Sequence, residues 1–159
     1  FSRSFGIETV CLRYFNVSGC DPEIGTGHKP QTHLIPRVLQ AARDGSIFEI
    51  QGDGGAVRDF VDVRDVAAAN VMALKNFEPS PLNICVGVAY SVTDVIRIAT
   101  KVTGCKIKTT MGPKREGDPD TVWGFNNLAY DVMGWKPKYA LHDQVAACWD
   151  WMNREKIAA

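Results

Sequence analysis

Two arginines, an asparagine and an aspartate carry the residue types that directed anion binding needs. Arg58 ends the glycine-rich stretch Gly52-Asp53-Gly54-Gly55-Ala56-Val57, and Arg115 sits inside Met111-Gly112-Pro113-Lys114-Arg115-Glu116-Gly117-Asp118-Pro119-Asp120. A guanidinium fixed at a loop–strand junction grips a phosphate through two parallel hydrogen bonds. Asn16 follows a β-forming run, where ligands of open α/β sheets bind beyond strand ends. These three around one crevice suit a diphosphate, whose charge calls for several directed donors. Asp118 suits a sugar hydroxyl better than a phosphate. Plainer roles stand beside these: Arg58 pairing with Asp59 or Asp62 at the surface, and Asn16 as a loop former.

The elements that must hold these residues follow from periodicity and punctuation. Ile7–Val17 is dense in β-formers, and its apolar centre predicts a strand buried on both faces, as in a parallel sheet. Val17–Gln31, with Gly19, Pro22, Gly25, Gly27 and Pro30, predicts a long irregular loop of the kind that is often functional. Gln31 or Thr32 opens a helix through Leu34, Ile35, Val38, Leu39 and Ala42, with Pro36 tolerated near its first turn. Ile47–Ile50 reads as a strand, then the glycine loop, then a strand at Phe60–Val63. Asp65 is the expected N-cap of a helix over Val66–Leu74.

Pro79-Ser80-Pro81 breaks the chain before a strand at Leu82–Val86. Ser91 or Thr93 caps a helix ended by Gly104, and Lys106–Thr110 alternates as an edge strand would. Asn126 or Asn127 caps a short helix. The last helix, from about Leu141, buries a stripe of Leu141, Val145, Cys148, Trp149 and Met152. The succession is α/β in style, without internal repeat or low-complexity segment.

Composition narrows the class of function. The 159 residues hold 18 Lys+Arg against 18 Asp+Glu, so bulk charge favours neither nucleic acid nor a membrane surface. No apolar run is long enough to cross a bilayer. Five cysteines, odd in number and without Cys-x-x-Cys, read as reduced thiols of a cytoplasmic protein, mostly buried. His28, His33 and His142 lack metal-ligand spacing. The opening Phe1-Ser2-Arg3-Ser4-Phe5-Gly6 has no signal-peptide core and no initiator Met, which predicts a start inside a longer protein.

Catalytic machinery is not recognisable. There is no Gly-x-x-Gly-x-x-Gly loop, no Tyr-x-x-x-Lys pair, no Gly-x-Ser-x-Gly, and no Cys–His or Ser–His–Asp arrangement. The chain holds binding chemistry alone.

Four motifs in order then carry a resemblance: Leu12-Arg13-Tyr14-Phe15-Asn16-Val17-Ser18-Gly19, Thr32-His33-Leu34-Ile35-Pro36, Val57-Arg58-Asp59-Phe60-Val61-Asp62-Val63 and Arg115-Glu116-Gly117-Asp118. Over nearly its whole length the chain resembles the extended short-chain dehydrogenase/reductases. The Gly19–Glu23 and His28–Pro36 stretches look most like UDP-glucose 4-epimerase. The resemblance implies the C-terminal part of an NAD(P)-binding Rossmann-type protein: remaining parallel strands plus a small α/β substrate domain. Residues 1–159 would be the substrate-binding part, with 1–20 and about 56–66 completing the Rossmann sheet and the N-terminal cofactor domain absent. The implied reaction is UDP-hexose 4-epimerisation, on UDP-glucose, UDP-galactose or N-acetylated forms. NAD, bound mainly by the missing part, takes a hydride from C4 and returns it to the other face. The whole protein would be a cytoplasmic homodimer, and this chain alone inactive. The alternatives are a UDP-sugar decarboxylase or 4,6-dehydratase fragment, favoured by the short Gly52–Val57 loop, or a non-catalytic nucleotide-binding module.

Position by position, the resemblance puts Phe15 beside the nicotinamide and Asn16 at the substrate diphosphate. His33 and Leu34 fall near the nucleotide, with His33 replacing an asparagine. Glu49, Ile50 and Gln51 run along uracil, with Gln51 where an aromatic is common. Arg58 and Arg115 hold the diphosphate, and Asp118 lies near the ribose. Val122 stands where many epimerases carry a tyrosine that limits sugar size, which leaves room for an N-acetyl group.

Overall fold

Three aspartates spaced by three, two on one strand and the third in the helix that follows it, organise the molecule. The computed structural model describes residues 2–25, 32–76, 78 and 80–157. His28, Gln31, Pro79 and the Gly27–Pro30 part of the expected loop lie outside the described residues. The chain runs α1 (Ser2–Phe5), β1 (Leu12–Tyr14), β2 (Asn16–Ser18), α2 (Leu34–Asp44), β3 (Ile47–Gln51), β4 (Val57–Asp62) and α3 (Val63–Ala73). It continues β5 (Leu82–Ile84), β6 (Ala89–Ser91), α4 (Val92–Thr103), β7 (Lys108–Gly112), β8 (Thr121–Val122), α5 (Asn127–Met133) and α6 (Leu141–Ile157).

The first β-run changes neighbour at Phe15. β1 pairs in parallel with β5, Leu12 opposite Leu82, and β2 pairs in parallel with β4, Asn16 opposite Phe60. β4 also takes β6 antiparallel and β8 in parallel, while β3 and β7 form a separate parallel pair. The expected burial on both faces is not found: Tyr14 is 46% and Val17 42% exposed. Parallel strands are buried when helices cover both faces. Here the described residues cover these two side chains only in part.

Two cores result. One joins α2, β3, α4 and α6 through Ile35, Leu39, Phe48, Ile50, Val95, Leu141, Val145 and Met152. The other gathers Val61, Val66, Leu82, Ile84, Met133 and Trp135 around α3 and β5. Each fully buried aliphatic side chain contributes about 1.5–3 kcal/mol by leaving water. The α6 stripe lies in the first core as its spacing required, with Trp149 partly buried at its edge.

Asp59, Asp62 and Asp65 are all buried. Asp59 accepts the amides of Val86 (2.8 Å) and Gly87 (2.7 Å). Asp62 caps α3, accepting from the Arg64 amide at 2.9 Å and from the Arg64 guanidinium through both oxygens. Arg64 in turn stacks 3.6 Å over the Tyr139 ring. Asp65 accepts the amides of Lys138 and Tyr139 at 3.0 and 3.1 Å. The helix therefore starts a turn earlier than Asp65 predicted. Asp62 is the residue whose carboxylate reaches the first free amides, and Asp65 ties a distant loop. Burial raises the pKa of both Asp59 and Asp65 above the usual carboxylate value, because the backbone amides only partly replace water.

Ser91 caps α4 with a reciprocal bond to Asp94, which settles the choice between Ser91 and Thr93. Asn126 precedes α5 without a side-chain cap bond; its amide donates to the Cys85 carbonyl at 2.8 Å instead. Cys20, Cys85 and Cys148 are buried free thiols, Cys105 is half-buried and Cys11 is exposed. Burial pushes the Cys85 thiol up to about 12.

Candidate functional site

A cavity of about 600 Å³ opens where β2, β4, the start of α2, β3 and the β7–β8 loop converge. Of the residues singled out from sequence, Phe15, Asn16, His33, Leu34, Glu49, Gln51, Arg58, Arg115 and Asp118 line it. Ile50 and Val122 do not. Strand alternation puts Glu49 and Gln51 on one face of β3 and turns Ile50 into the core. Val122 lies in β8 with its Cα opposite Arg58 of β4.

Arg58 extends from β4, not from a loop, and its side chain is 16% exposed. Neither Asp59 nor Asp62 is its partner: Asp59 leaves the strand on the opposite face, and the Asp62 carboxylate is taken up by the Arg64 guanidinium. One Nη donates to the Val57 carbonyl at 2.8 Å, and the other to Asp118 at 2.5 Å. Asn16 belongs to β2 rather than to a loop, and its amide donates to the Asp59 carbonyl at 3.1 Å.

Arg115 and Asp118 close one turn, the Asp118 amide donating to the Arg115 carbonyl at 3.3 Å. Gly117 takes φ +76° at the third position, which such a turn reserves for glycine. The turn is exposed and presents both side chains to the cavity. Arg115 makes no ion pair among the described residues.

The cavity floor is set from below. Gln144, fully buried, donates to the carbonyls of Phe60 (3.0 Å) and Tyr139 (3.2 Å) and accepts from the Ser18 hydroxyl. It clamps β2 and β4 to α6. At the other wall, Gln51 donates to Glu49 at 2.6 Å, and Arg37 stands 5.4 Å over the Phe48 ring. Thr32 to Arg37, the entry of α2, also line the site. The free amides of a helix start favour an anion there. Sequence reasoning passed over Arg37, Ser18 and Gln144. The pattern of α2 spends Arg37 as a surface residue, and no motif marks a buried glutamine.

Among the described residues no group of His, Cys, Asp or Glu has a metal-holding arrangement, and no helix is long and apolar enough to cross a membrane.

Parallel strands flanked by helices, with an arginine-lined cavity alongside β2 and β4, define an open-sheet α/β protein with a crevice suited to an anionic ligand. Residues 1–87 match the NAD dependent epimerase/dehydratase family, and the chain belongs to it. It is 41% identical, over 94% of its length, to a UDP-glucose 4-epimerase of Lactobacillus helveticus, and covers 49% of that relative. Its fold is similar to a Thermotoga maritima UDP-glucose 4-epimerase solved with UDP-glucose (TM-score 0.88, 26% identity, 98% of this chain and 49% of that one). It is also similar to the Stenotrophomonas maltophila UDP-glucose 4-epimerase solved with NAD and formylated UDP-arabinopyranose (TM-score 0.87, 30% identity, 97% and 51%). The chain spans about half the length of the curated relatives it matches.

Proposed function

We propose that this chain forms the UDP-sugar-binding half of an NAD-dependent UDP-hexose 4-epimerase. The observation that carries the reading is the convergence of Arg58, Arg115 and the start of α2 on one cavity with Glu49 and Gln51. The two guanidiniums and the α2 amides suit a diphosphate, and Asp118 suits a ribose hydroxyl. The Glu49–Gln51 face offers both acceptors and donors to the edge of a base.

NAD supplies reversible uptake of a hydride when bound. The fit of this chain to that group is confined to one wall. Phe15 lines the cavity with a flat apolar ring suited to a nicotinamide, whereas the glycine loop that grips a dinucleotide is absent from the sequence. The chain's own part is to hold the nucleotide end of the substrate, so that the sugar swings over a fixed anchor. We assign residues 1–20 and 56–66 to the cofactor-side sheet and the rest to the substrate domain, in a cytoplasmic homodimer.

The test is a substrate panel on the full-length protein, read by product analysis. Interconversion of UDP-galactose and UDP-glucose supports the reading. Release of carbon dioxide from a UDP-uronate, or loss of water from a nucleotide hexose, replaces it with the decarboxylase or dehydratase alternative. The isolated chain is expected to convert nothing.

A further inference from the structure

Arg58 is already occupied. One arm of its guanidinium is committed to the Val57 carbonyl, and the other meets Asp118 at 2.5 Å. A carboxylate and a phosphate oxygen compete for the same donor fork. Asp118 lines the cavity at the end of the turn that begins with Arg115. That turn belongs to a strap exposed along residues 113–120. The strap is fixed at Gly112, opposite Gln51, and again at Asp120, whose carbonyl accepts the Val57 amide at 2.8 Å. Between those points it can shift without breaking a strand.

We propose that Asp118 acts as an internal anion, filling the Arg58 subsite and latching the 113–120 strap across the cavity until a diphosphate displaces it. The inference rests on the reading of the cavity as a diphosphate site and adds a regulation of it. The pair with Asp118 lets Arg58 keep its position without a bare buried charge. The ligand exchanges one carboxylate for two phosphates and releases Asp118 to the sugar side. Because Asp118 and Arg115 share a turn, the same displacement moves Arg115, coupling the second arginine to the first.

The probe is inorganic pyrophosphate, which has no ribose, titrated calorimetrically without magnesium into the full-length protein. NAD is present throughout, so that no dinucleotide site takes the probe. Asp118→Asn is expected to bind pyrophosphate roughly 2–5-fold more tightly, the scale of a partly exposed ion pair. Glu116→Gln removes the same charge from the same strap without touching Arg58, and is expected to change affinity less. Unchanged or weaker binding in Asp118→Asn overturns the latch, as does an equal gain in Glu116→Gln. Failure of the diphosphate reading looks different: Arg58→Ala would then bind pyrophosphate as well as the parent protein.

Discussion

The ring of Phe15 lies against the backbone of Gly124 so closely that an added Cβ would stand 2.5 Å from Cζ. Gly124 does not have a positive φ, so close approach alone calls for glycine there. Gly124→Ala must therefore push the ring out of its cavity position. The expected cost is about 1–3 kcal/mol, typical of overpacking, read as a lower urea midpoint. Phe15→Leu in the same chain should restore most of it. A neutral Gly124→Ala would show that the ring has room to retreat.

Arg58→Ala in the full-length protein should weaken UDP binding by about 1.5–3 kcal/mol, the usual scale for a charge-assisted hydrogen bond. Arg115→Ala should weaken it less, because Arg115 starts from an exposed turn and must be ordered on binding. Calorimetry reads both. Equal affinity in parent and Arg58→Ala would make Arg58 a purely structural residue.

Removing the Gln144 side chain strands several groups together. Gln144→Leu leaves the Phe60 and Tyr139 carbonyls and the Ser18 hydroxyl without this partner. A loss of about 1–3 kcal/mol in denaturant unfolding is expected, the cost of leaving a buried polar group unsatisfied. A loss below about 0.5 kcal/mol, the range of an ordinary surface substitution, would mean water enters and replaces the amide.

The α4 cap gives a pH dependence with a fixed sign. The Ser91 hydroxyl and amide beside Asp94 lower its pKa, with Arg97 adding to the effect. A carboxylate whose folded value lies below its unfolded one, about 3.9, stabilises the fold above that pH. The contribution disappears as pH falls through the folded value. The stability gap between parent and Asp94→Asn should thus be open near neutrality and close below about pH 4. Thermal melts across pH 3–7 would follow it, and a gap that widens in acid would contradict the cap.

Helices with long periodic faces were readable from sequence: α2, α4 and α6 fall where their apolar spacing placed them. β6 and β8 were not, since two or three residues leave no period to detect. Their place is dictated by β4, a partner remote in sequence. The shift of the α3 start from Asp65 to Asp62 has the same origin. Both aspartates are good caps locally, and only the amides of Lys138 and Tyr139 decide between them. Of the cavity, the arginines were legible because their chemistry is specific. Arg37 and Gln144 became visible only when elements far apart in sequence met.

At the β4–α3 corner Asp59 and Asp65 each fasten a remote segment while Asp62 ties the helix start to Arg64, so that corner behaves as a spine with little freedom of its own. Residues 113–120 have no comparable anchorage, and they carry Lys114 and Arg115 next to each other in the open. Trypsin should therefore find a cleavage point there, and occupancy of the cavity should hide it. A band pattern on a gel would then follow ligand occupancy without any turnover being measured.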